Sequence, residues 1–307
     1  MKKIYFVNGF LEAGKTTFIK ELLSQDYFDT GEKTLIVLCE DGLEEYEDDF
    51  CREHNLIVEK IENEDAFTDE KLKEIEEKTS PDRIIIEFNG MWNPEYRLDC
   101  WSEGQIMMIV IIDATTFDLY LNNMKPYVRQ QIMNAYMTVF RSCDGKENRL
   151  ASYRRSIRAL NPQTNFVFKN KDGEMNPRLE EDLPYNIQAK GIELTEESFG
   201  IFYIDAMEYV NRYKDKAVAF TGKIFKKKEN TLLIGRRALT CCSEDLTLFA
   251  FICDANDIDG FVEQEWVRVN GQVKVEYFEK LRASIPVIQI MWIERCKKPD
   301  QEILNIY

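Results

Sequence analysis

Histidine, net positive charge and long apolar runs are all scarce in this sequence. One histidine, His54, leaves little imidazole for a metal site, and we expect it to be a surface residue. The 40 Lys and Arg residues face 55 Asp and Glu, which gives a formal net charge of −15 and argues against nucleic-acid binding. No stretch approaches the roughly eighteen consecutive apolar residues of a membrane helix.

The eight cysteines are scattered, which is typical of a reducing compartment rather than of a disulfide scaffold. The start, MKKIYFVNGF, enters a strand and a glycine turn without the apolar core of a signal peptide. We therefore expect a cytoplasmic protein. The 307 residues suffice for two domains. The pattern changes near residue 175 to short alternating segments, which predicts a division into 1–175 and 176–307.

The stretch NGFLEAGKTTFIKELL fits the phosphate-loop pattern G-x-x-x-x-G-K-[ST]. It lies between a buried-type strand and an amphipathic helix, the context that the pattern requires. Its glycines let backbone N–H groups converge on phosphate oxygens, while Lys15 is expected to reach the β and γ phosphates and Thr16 to ligate Mg²⁺. The predicted nucleotide-binding residues here are Gly9, Gly14, Lys15, Thr16 and Thr17.

Acidic residues follow two further predicted strands, at 34–41 and 82–90. Ligands of open α/β sheets bind at such carboxyl ends of strands. In P-loop proteins an acid in the place of Glu87 holds the Mg²⁺ shell, and a glycine N–H, here that of Gly90, senses the γ-phosphate. We therefore predict catalytic roles for Lys15, Glu87 and Gly90. For the acidic segment after the first of these strands, Mg²⁺ or other metal binding by Glu40 and Asp41 and a merely solvated role are equally open.

Further strand and helix patterns continue the same architecture. A strand ends at Asp113, a helix is predicted over 127–140, and another strand over 164–170. Repeated strand–helix units predict an α/β P-loop fold with a doubly wound, mostly parallel sheet.

Together these segments resemble the CobW-type metallochaperone GTPases over roughly residues 1–170. The resemblance lies in GFLEAGKTT, in CEDGLEEYEDD, in IIIEFNG with its glutamate-x-x-glycine, and in VIIDATTF followed by RQQIMNA. It implies GTP and Mg²⁺ as cofactors, with Zn²⁺ or another transition metal as a further candidate. It also favours a homodimer, because relatives of this class often act in pairs.

Three departures from the family pattern stand out. Glu12 replaces a glycine common inside the loop, and the C-x-C-C metal motif is absent. The guanine-reading motif appears as RSCD, in which Asp144 is the candidate base-binding residue. The base specificity, GTP or ATP, therefore stays open.

The second half contains five segments with strand character: KAVAFTGKIF, TLLIGRRALT, TLFAFICDA, EWVRVNGQVKVEYF and IPVIQIMWIERC. They predict a small all-β, OB-like barrel, and Asn270-Gly271 carries a hairpin signal. KDKAVAFTGKIF, GRRALTCCSED and WVRVNGQV resemble the C-terminal domain of YcgQ-type bacterial proteins, whose partners are permeases. Cys241 and Cys242 alternate across a strand, so two interpretations remain: ordinary packed cysteines, or a soft-metal or redox site with Cys253.

Three classes of function follow from these patterns. The leading hypothesis is a slow, Mg²⁺-dependent GTPase that acts as a switch in metal handling or metal-cofactor delivery, with a metalloprotein as partner. The first alternative is a non-catalytic nucleotide-binding adaptor for a membrane permease. The second is an ATP-using P-loop enzyme, which an adenine preference would favour.

Overall fold

Two compact units can be separated in the chain. In this computed structural model, the structure describes residues 2–92, 105–175, 183–239, 246–255, 258–279 and 281–305. The first unit comprises residues 1–150 and 163–178, and the second comprises 151–162 and 179–307. The segment 151–162 thus groups with the second unit, and the division at residue 175 stays a prediction. No helix within the described ranges has the length and apolarity needed to cross a membrane.

The first unit is built on an eight-stranded sheet in the order β3-β2-β4-β1-β5-β6-β7-β8. All neighbouring strands are parallel except β7 and β8. This confirms the predicted α/β, mostly parallel sheet. The strands are β1 (Lys3–Asn8), β2 (Thr34–Leu38), β3 (Leu56–Lys60), β4 (Arg83–Glu87), β5 (Gln105–Asp113), β6 (Met137–Arg141), β7 (Asn165–Asn170) and β8 (Gly173–Met175).

Short amphipathic helices connect these strands. Helix α1 buries Phe18, Ile19 and Leu23 in one apolar cluster with Val7 and Ile85 of the sheet. This burial fixes the phosphate loop between β1 and α1. The helices up to residue 160 are α1 (Lys15–Leu23), α2 (Asp48–Glu53), α3 (Asp69–Thr79), α4 (Phe117–Asn123), α5 (Lys125–Ile132) and α6 (Glu147–Leu160).

The predicted helix over 127–140 was wrong in its second half. Helix α5 ends at Ile132, and β6 begins at Met137. Val139 pairs with Ile111 of β5 and Val167 of β7, so this strand is buried between two neighbours. Apolar runs of this kind suit either a buried helix or a central strand, and tertiary pairing decides between them.

The second unit contains a closed five-stranded barrel. Its strands pair in the order β10-β11-β12-β14-β13, and pairing of β10 with β11 as well as β13 closes it. This confirms the predicted OB-like barrel. The strands are β10 (Ala217–Lys228), β11 (Thr231–Leu239), β12 (Leu246–Asp254), β13 (Trp266–Phe278) and β14 (Ala283–Arg295), flanked by β9 (Gly191–Glu193) and β15 (Ile303–Asn305).

Helix α7 (Glu196–Glu208) packs against this barrel. Thr195 and Ser198 form a reciprocal capping box at its N-terminus. Its Phe199 and Phe202 side chains are buried against the aromatic ring of Phe251. The helix therefore contributes directly to the apolar core of the second unit.

The hairpin expected at Asn270-Gly271 is not present. Strand β13 passes through both residues, and its pairing with β14 shifts register there. A Cβ atom at Gly271 would lie 2.5 Å from Ile288 Cγ2 and 2.7 Å from the Gln289 carbonyl oxygen. The glycine thus lets two strands approach closely at a bulge, which is a known role of glycine in strands besides its role in turns.

We expect Gly235→Ala to destabilise the barrel, because a Cβ atom at this position of β11 would overlap the Phe249 carbonyl and Ala250. The free energy of unfolding should fall by about 1–3 kcal/mol or more. Urea unfolding followed by circular dichroism measures this change. Gly260→Ala is the control, since nothing lies within 4 Å of its added Cβ. Equal stability of the two variants would contradict the packing described here.

Candidate functional site

The phosphate loop requires glycine at both of its ends. Gly9 and Gly14 have φ angles of 149° and 88°, which favour glycine. A side chain at Gly9 would also overlap the Ile111 carbonyl oxygen, and one at Gly14 would lie 2.9 Å from Arg141 Nε. The loop therefore lies close to β5 and β6, and its shape depends on both glycines.

Lys15 is the buried centre of this loop. Its side chain is 3% exposed, and its ammonium group donates to the carbonyl oxygens of Gly9 at 2.9 Å and Phe10 at 3.0 Å. The same ammonium group lies 3.2 Å from Glu40 Oε1. These three acceptors match the three donors of a lysine side chain.

Glu40 follows β2, and its side chain is 7% exposed. Burial raises the pKa of this carboxyl group, although the nearby Lys15 ammonium acts in the opposite direction. A buried carboxylate needs such a partner, because isolated charges are costly to remove from water. Glu40 is therefore part of the site and not of the solvated acidic segment that follows it.

Glu87, at the end of β4, is bound by two hydroxyl groups. Thr16 Oγ1 donates to Glu87 Oε1 at 2.7 Å, and the Tyr46 hydroxyl donates to Glu87 Oε2 at 2.6 Å. Burial raises the pKa of the Glu87 carboxyl group, while these two hydrogen bonds lower it by a smaller amount. Tyr46 comes from the acidic segment after β2, so this bond ties that segment to the phosphate loop.

A cavity of about 590 Å³ opens over the loop. Glu44 accepts from the Thr17 hydroxyl, and Lys20 lies 2.8 Å from Glu47. The Thr16 hydroxyl and the Glu87 carboxylate are hard oxygen donors of the kind that Mg²⁺ prefers. The donor set at this cavity therefore fits a magnesium ion. Its lining residues are Leu11, Glu12, Gly14, Lys15, Thr16, Thr17, Glu40, Gly42, Leu43, Glu44, Glu45, Glu47 and Glu87.

Glu12 has a left-handed backbone, with φ at 61°. This conformation explains why glycine suits the position, and it costs a non-glycine residue about 1–2 kcal/mol. Its Oε1 accepts a hydrogen bond from the Leu43 backbone N–H at 3.2 Å. The side chain thus joins the phosphate loop to the acidic segment and places a negative charge beside the cavity.

Gly90 lies directly against the phosphate loop. A side chain here would overlap the Gly9 carbonyl oxygen and approach Gln131 Nε2 to 2.8 Å. Gln131, which is buried on α5, donates to the Gly90 carbonyl oxygen at 2.8 Å. Gly90, which we predict to sense the γ-phosphate, is therefore packed between Gly9 and Gln131.

Other predicted residues lie away from the 590 Å³ cavity. Asp41 is exposed and pairs with Lys60 at 2.7 Å. Asp144 accepts from the Lys171 backbone N–H at 2.9 Å and lines a different cavity. Arg141, in the place of the usual asparagine, forms a two-point ion pair with Glu21 on α1. The roles of Asp41 and Asp144 stay predictions.

The structure describes only one of the three cysteines of the predicted soft-metal or redox site. Cys253 is buried in β12, donates to the Phe251 carbonyl oxygen at 3.5 Å, and has a pKa raised by burial. Cys241 and Cys242 lie outside the described residues. Within the described ranges, no group of three or more His, Cys, Asp or Glu side chains could hold a metal ion.

The expectation of a surface histidine was wrong. His54 is buried, its Nδ1 lies 2.6 Å from Asp29 Oδ2, and its ring packs against Phe50. The contact lowers the pKa of the Asp29 carboxyl group. A single histidine gives no periodic signal in the sequence, so burial could not be inferred.

Tyr46, Gln131 and Glu44 contact the site but were not singled out from the sequence. Tyr46 and Glu44 lie in an irregular segment, where no periodicity reveals which side chain turns inward. Gln131 lies in a predicted helix, where the sequence gives no sign of a functional role. Only the position of the segment that holds Glu44 and Tyr46, just past the carboxyl end of β2, indicates these two residues, and nothing in the sequence indicates Gln131.

Strand, glycine loop, buried lysine and hydroxyl–carboxylate pair define a P-loop nucleotide-binding protein. Residues 3–168 match the nucleotide-binding domain described as CobW/HypB/UreG. This match covers more than half of the chain, which therefore belongs to the CobW/HypB/UreG family. Residues 169–304 match the DUF1980 C-terminal domain. The resemblances predicted for the two halves are thus confirmed.

Three individual proteins that resemble this chain share at most about a quarter of the aligned residues with it. YcgQ of Bacillus subtilis (strain 168) is 24% identical over 115 residues, which are 36% of this chain and 40% of that protein. The chain thus spans about 40% of the length of this curated relative. The hydrogenase maturation factor HypB of Archaeoglobus fulgidus is 13% identical, with a TM-score of 0.41 over 56% of this chain and 84% of HypB. A Zn(II)-bound triple mutant of the YjiA GTPase is 15% identical, with a TM-score of 0.40 over 98% and 91%.

We expect Glu87→Gln to raise stability at neutral pH. Because burial raises the folded-state pKa of Glu87, its stabilising contribution is complete at acidic pH and is lost as the pH rises through that pKa. Glutamine is neutral throughout and escapes this loss. The melting temperature of the variant should exceed that of the parent most at pH 7.5, and the gap should close towards pH 4.5. Exposed Glu70→Gln is the control, and a gap independent of pH would contradict the prediction.

We expect Glu12→Gly to relieve the left-handed strain and to remove a charge beside the cavity. Stability should rise by about 1 kcal/mol, and affinity for a Mg²⁺–nucleoside triphosphate should rise severalfold. Urea unfolding and a titration with fluorescent nucleotide measure the two effects. Glu12→Gln separates them, because it keeps the strain and removes only the charge. A less stable glycine variant would mean that the bond to Leu43 outweighs the strain.

Proposed function

We propose that this protein is a slow, Mg²⁺-dependent GTPase that works as a nucleotide switch. The observation that carries the proposal is the convergence of Lys15, Thr16 and Glu87 beside one cavity formed by the phosphate loop. Membership of the CobW/HypB/UreG family supports nucleotide binding and makes hydrolysis the expected activity.

Triphosphate binding requires Lys15 to change partners. Its ammonium group is paired with Glu40, and a phosphate oxygen entering the cavity would compete with that carboxylate. Thr16 and Glu87 would hold Mg²⁺, which would neutralise charge on the β and γ phosphates. Lys15 and the backbone N–H groups of the loop would stabilise the charge that develops during hydrolysis.

A low rate follows from what lines the cavity. Its described lining includes one lysine and no arginine, so an arginine finger is not among these residues. Glu87 binds two hydroxyl groups and lies beside the predicted Mg²⁺ position, which makes it a ligand rather than a free general base. We therefore infer that charge stabilisation supplies most of the rate enhancement.

The switch would be the segment over residues 40–47. Glu40 contacts Lys15 and the Leu43 N–H contacts Glu12 of the phosphate loop, while Tyr46 contacts Glu87 at the end of β4. A ligand that takes Lys15 as a partner removes one of these contacts directly, and a ligand that takes Thr16 changes a second one through Glu87, which Thr16 and Tyr46 share. Bound nucleotide and segment conformation are thereby coupled.

The downstream role rests on the family rather than on this geometry. The resemblance of the first half to CobW-type metallochaperone GTPases favours metal handling with a metalloprotein as partner, and the YcgQ-type resemblance of the second half favours a permease. The second unit would read the nucleotide state. Asp144, in the position of the family's base-reading aspartate, would accept hydrogen bonds from the guanine ring.

Titration of the metal-free protein with fluorescent GTP and ATP, with and without Mg²⁺, tests the proposal. We expect micromolar, Mg²⁺-dependent GTP binding that Lys15→Ala weakens at least about a hundredfold, because a buried charge-assisted contact is lost. Lys71→Ala is the matched control, because Lys71 on α3 is partly exposed and pairs with Glu74.

Phosphate release from GTP under saturating conditions then measures hydrolysis. Preference for ATP would transfer the protein to the ATP-using class. Binding without phosphate release would favour the adaptor, and no binding of either nucleotide would overturn the proposal.

A further inference from the structure

Arg236 occupies an unusual position on the inward face of the barrel. The alternate residues Leu232, Ile234 and Ala238 of β11 are fully buried in the apolar core. Arg236 belongs to the same row and is 2% exposed. An arginine in a row of core residues carries a permanent charge, and such a charge needs compensation.

The described residues compensate this charge incompletely. One terminal nitrogen, Nη2, donates to the Gln301 carbonyl oxygen, but Nη1 lies 3.9 Å from the Glu196 carboxylate. The Nε–H group is buried and has no acceptor among the described residues. Buried donors of folded proteins almost always have an acceptor, whether protein, water or ligand, so this donor is available to an acceptor that enters from outside the described residues.

Arg236 lines a cavity of about 360 Å³ located where β12 and β13 begin. Two further cations, Lys223 and Arg237, share its lining, against one acid, Glu302, within the described part of the chain. Glu302 lies 3.8 Å from Lys223, too far for a strong contact. The cavity is thus locally positive in a chain with a net charge of −15.

Apolar surface completes the cavity. Trp266 and Phe225 line it, and the guanidinium carbon of Arg236 lies 5.7 Å from the centre of the Trp266 ring. Guanidinium groups beside aromatic rings present their N–H groups to carboxylates and phosphates. A volume of this size suits a small molecule.

We propose that this barrel cavity binds a small organic anion, a carboxylate or phosphate ester with an apolar body. Arg236 and Arg237 would bind the anionic group, and Trp266 would contact the apolar part. The site is separate from the phosphate loop, and its existence does not depend on the nucleotide activity proposed above.

An NMR titration of the full-length protein tests this site. Benzoate and phenyl phosphate are the probes, and the indole N–H signal of Trp266, identified as the one missing in Trp266→Phe, is the readout. We expect saturable shifts with one or both anions and none with benzyl alcohol, the neutral analogue. Arg236→Gln should weaken binding about tenfold or more, because a charge-assisted hydrogen bond is lost.

Arg295→Gln is the matched control, because Arg295 pairs with Glu265 outside this cavity and should leave the affinity unchanged. If Arg236→Gln does not fold, Arg237→Gln replaces it, since Arg237 lies at an exposed position of β11. Severalfold weaker binding in that variant supports the site. Anion shifts no larger than those with benzyl alcohol, or equal affinity in parent and variant, would overturn the proposal.

Discussion

The buried ion pair between Lys15 and Glu40 is the interaction on which the arrangement of the site depends. The lysine is the first residue of α1, at the end of the phosphate loop after β1, and the glutamate lies in the segment after β2, so the pair joins two strand ends across the sheet. Neither charge is tolerable alone at this burial, because removing one partner leaves an uncompensated charge. Any anion that binds Lys15 must therefore also redistribute the interactions of Glu40. The coupling between phosphate and the 40–47 segment follows from this constraint.

A second link acts in parallel. Glu87 receives one hydroxyl group from the phosphate loop, through Thr16, and one from the acidic segment, through Tyr46. Burial raises the pKa values of both Glu40 and Glu87, which means that the site keeps two carboxyl groups where their ionised form is disfavoured. Such perturbed groups are common at functional sites, since binding a cation restores the preference for the ionised form. Stability and function are thus opposed at these positions.

Much of the fold was predictable from sequence, because local patterns and tertiary packing agree there. The Gly9–Thr16 loop, the isoleucine-rich β4 and the five barrel strands all carry strong signals. The end of α5 and the role of Asn270-Gly271 were not predictable from sequence. At both places, pairing with neighbouring strands overrode the local preference. In the site, Lys15, Thr16 and Glu87 follow from a motif, whereas the inward turn of Tyr46 depends on contacts between distant segments. The buried Arg236 likewise becomes visible only when the barrel closes around it.

Hydrogen–deuterium exchange of the full-length protein measures the central coupling most directly. Peptides covering residues 8–17 and 40–47 would be compared with and without saturating Mg²⁺ and GTP, beside Lys15→Ala. If Lys15 changes partners on binding, deuterium uptake should slow in both peptides of the parent protein and should not change in the variant. Peptides of α3, which does not line the cavity, are the internal reference. Slower exchange in the loop peptide alone, with the 40–47 peptide unchanged, would contradict the account, because phosphate binding would then be independent of Glu40 and Tyr46.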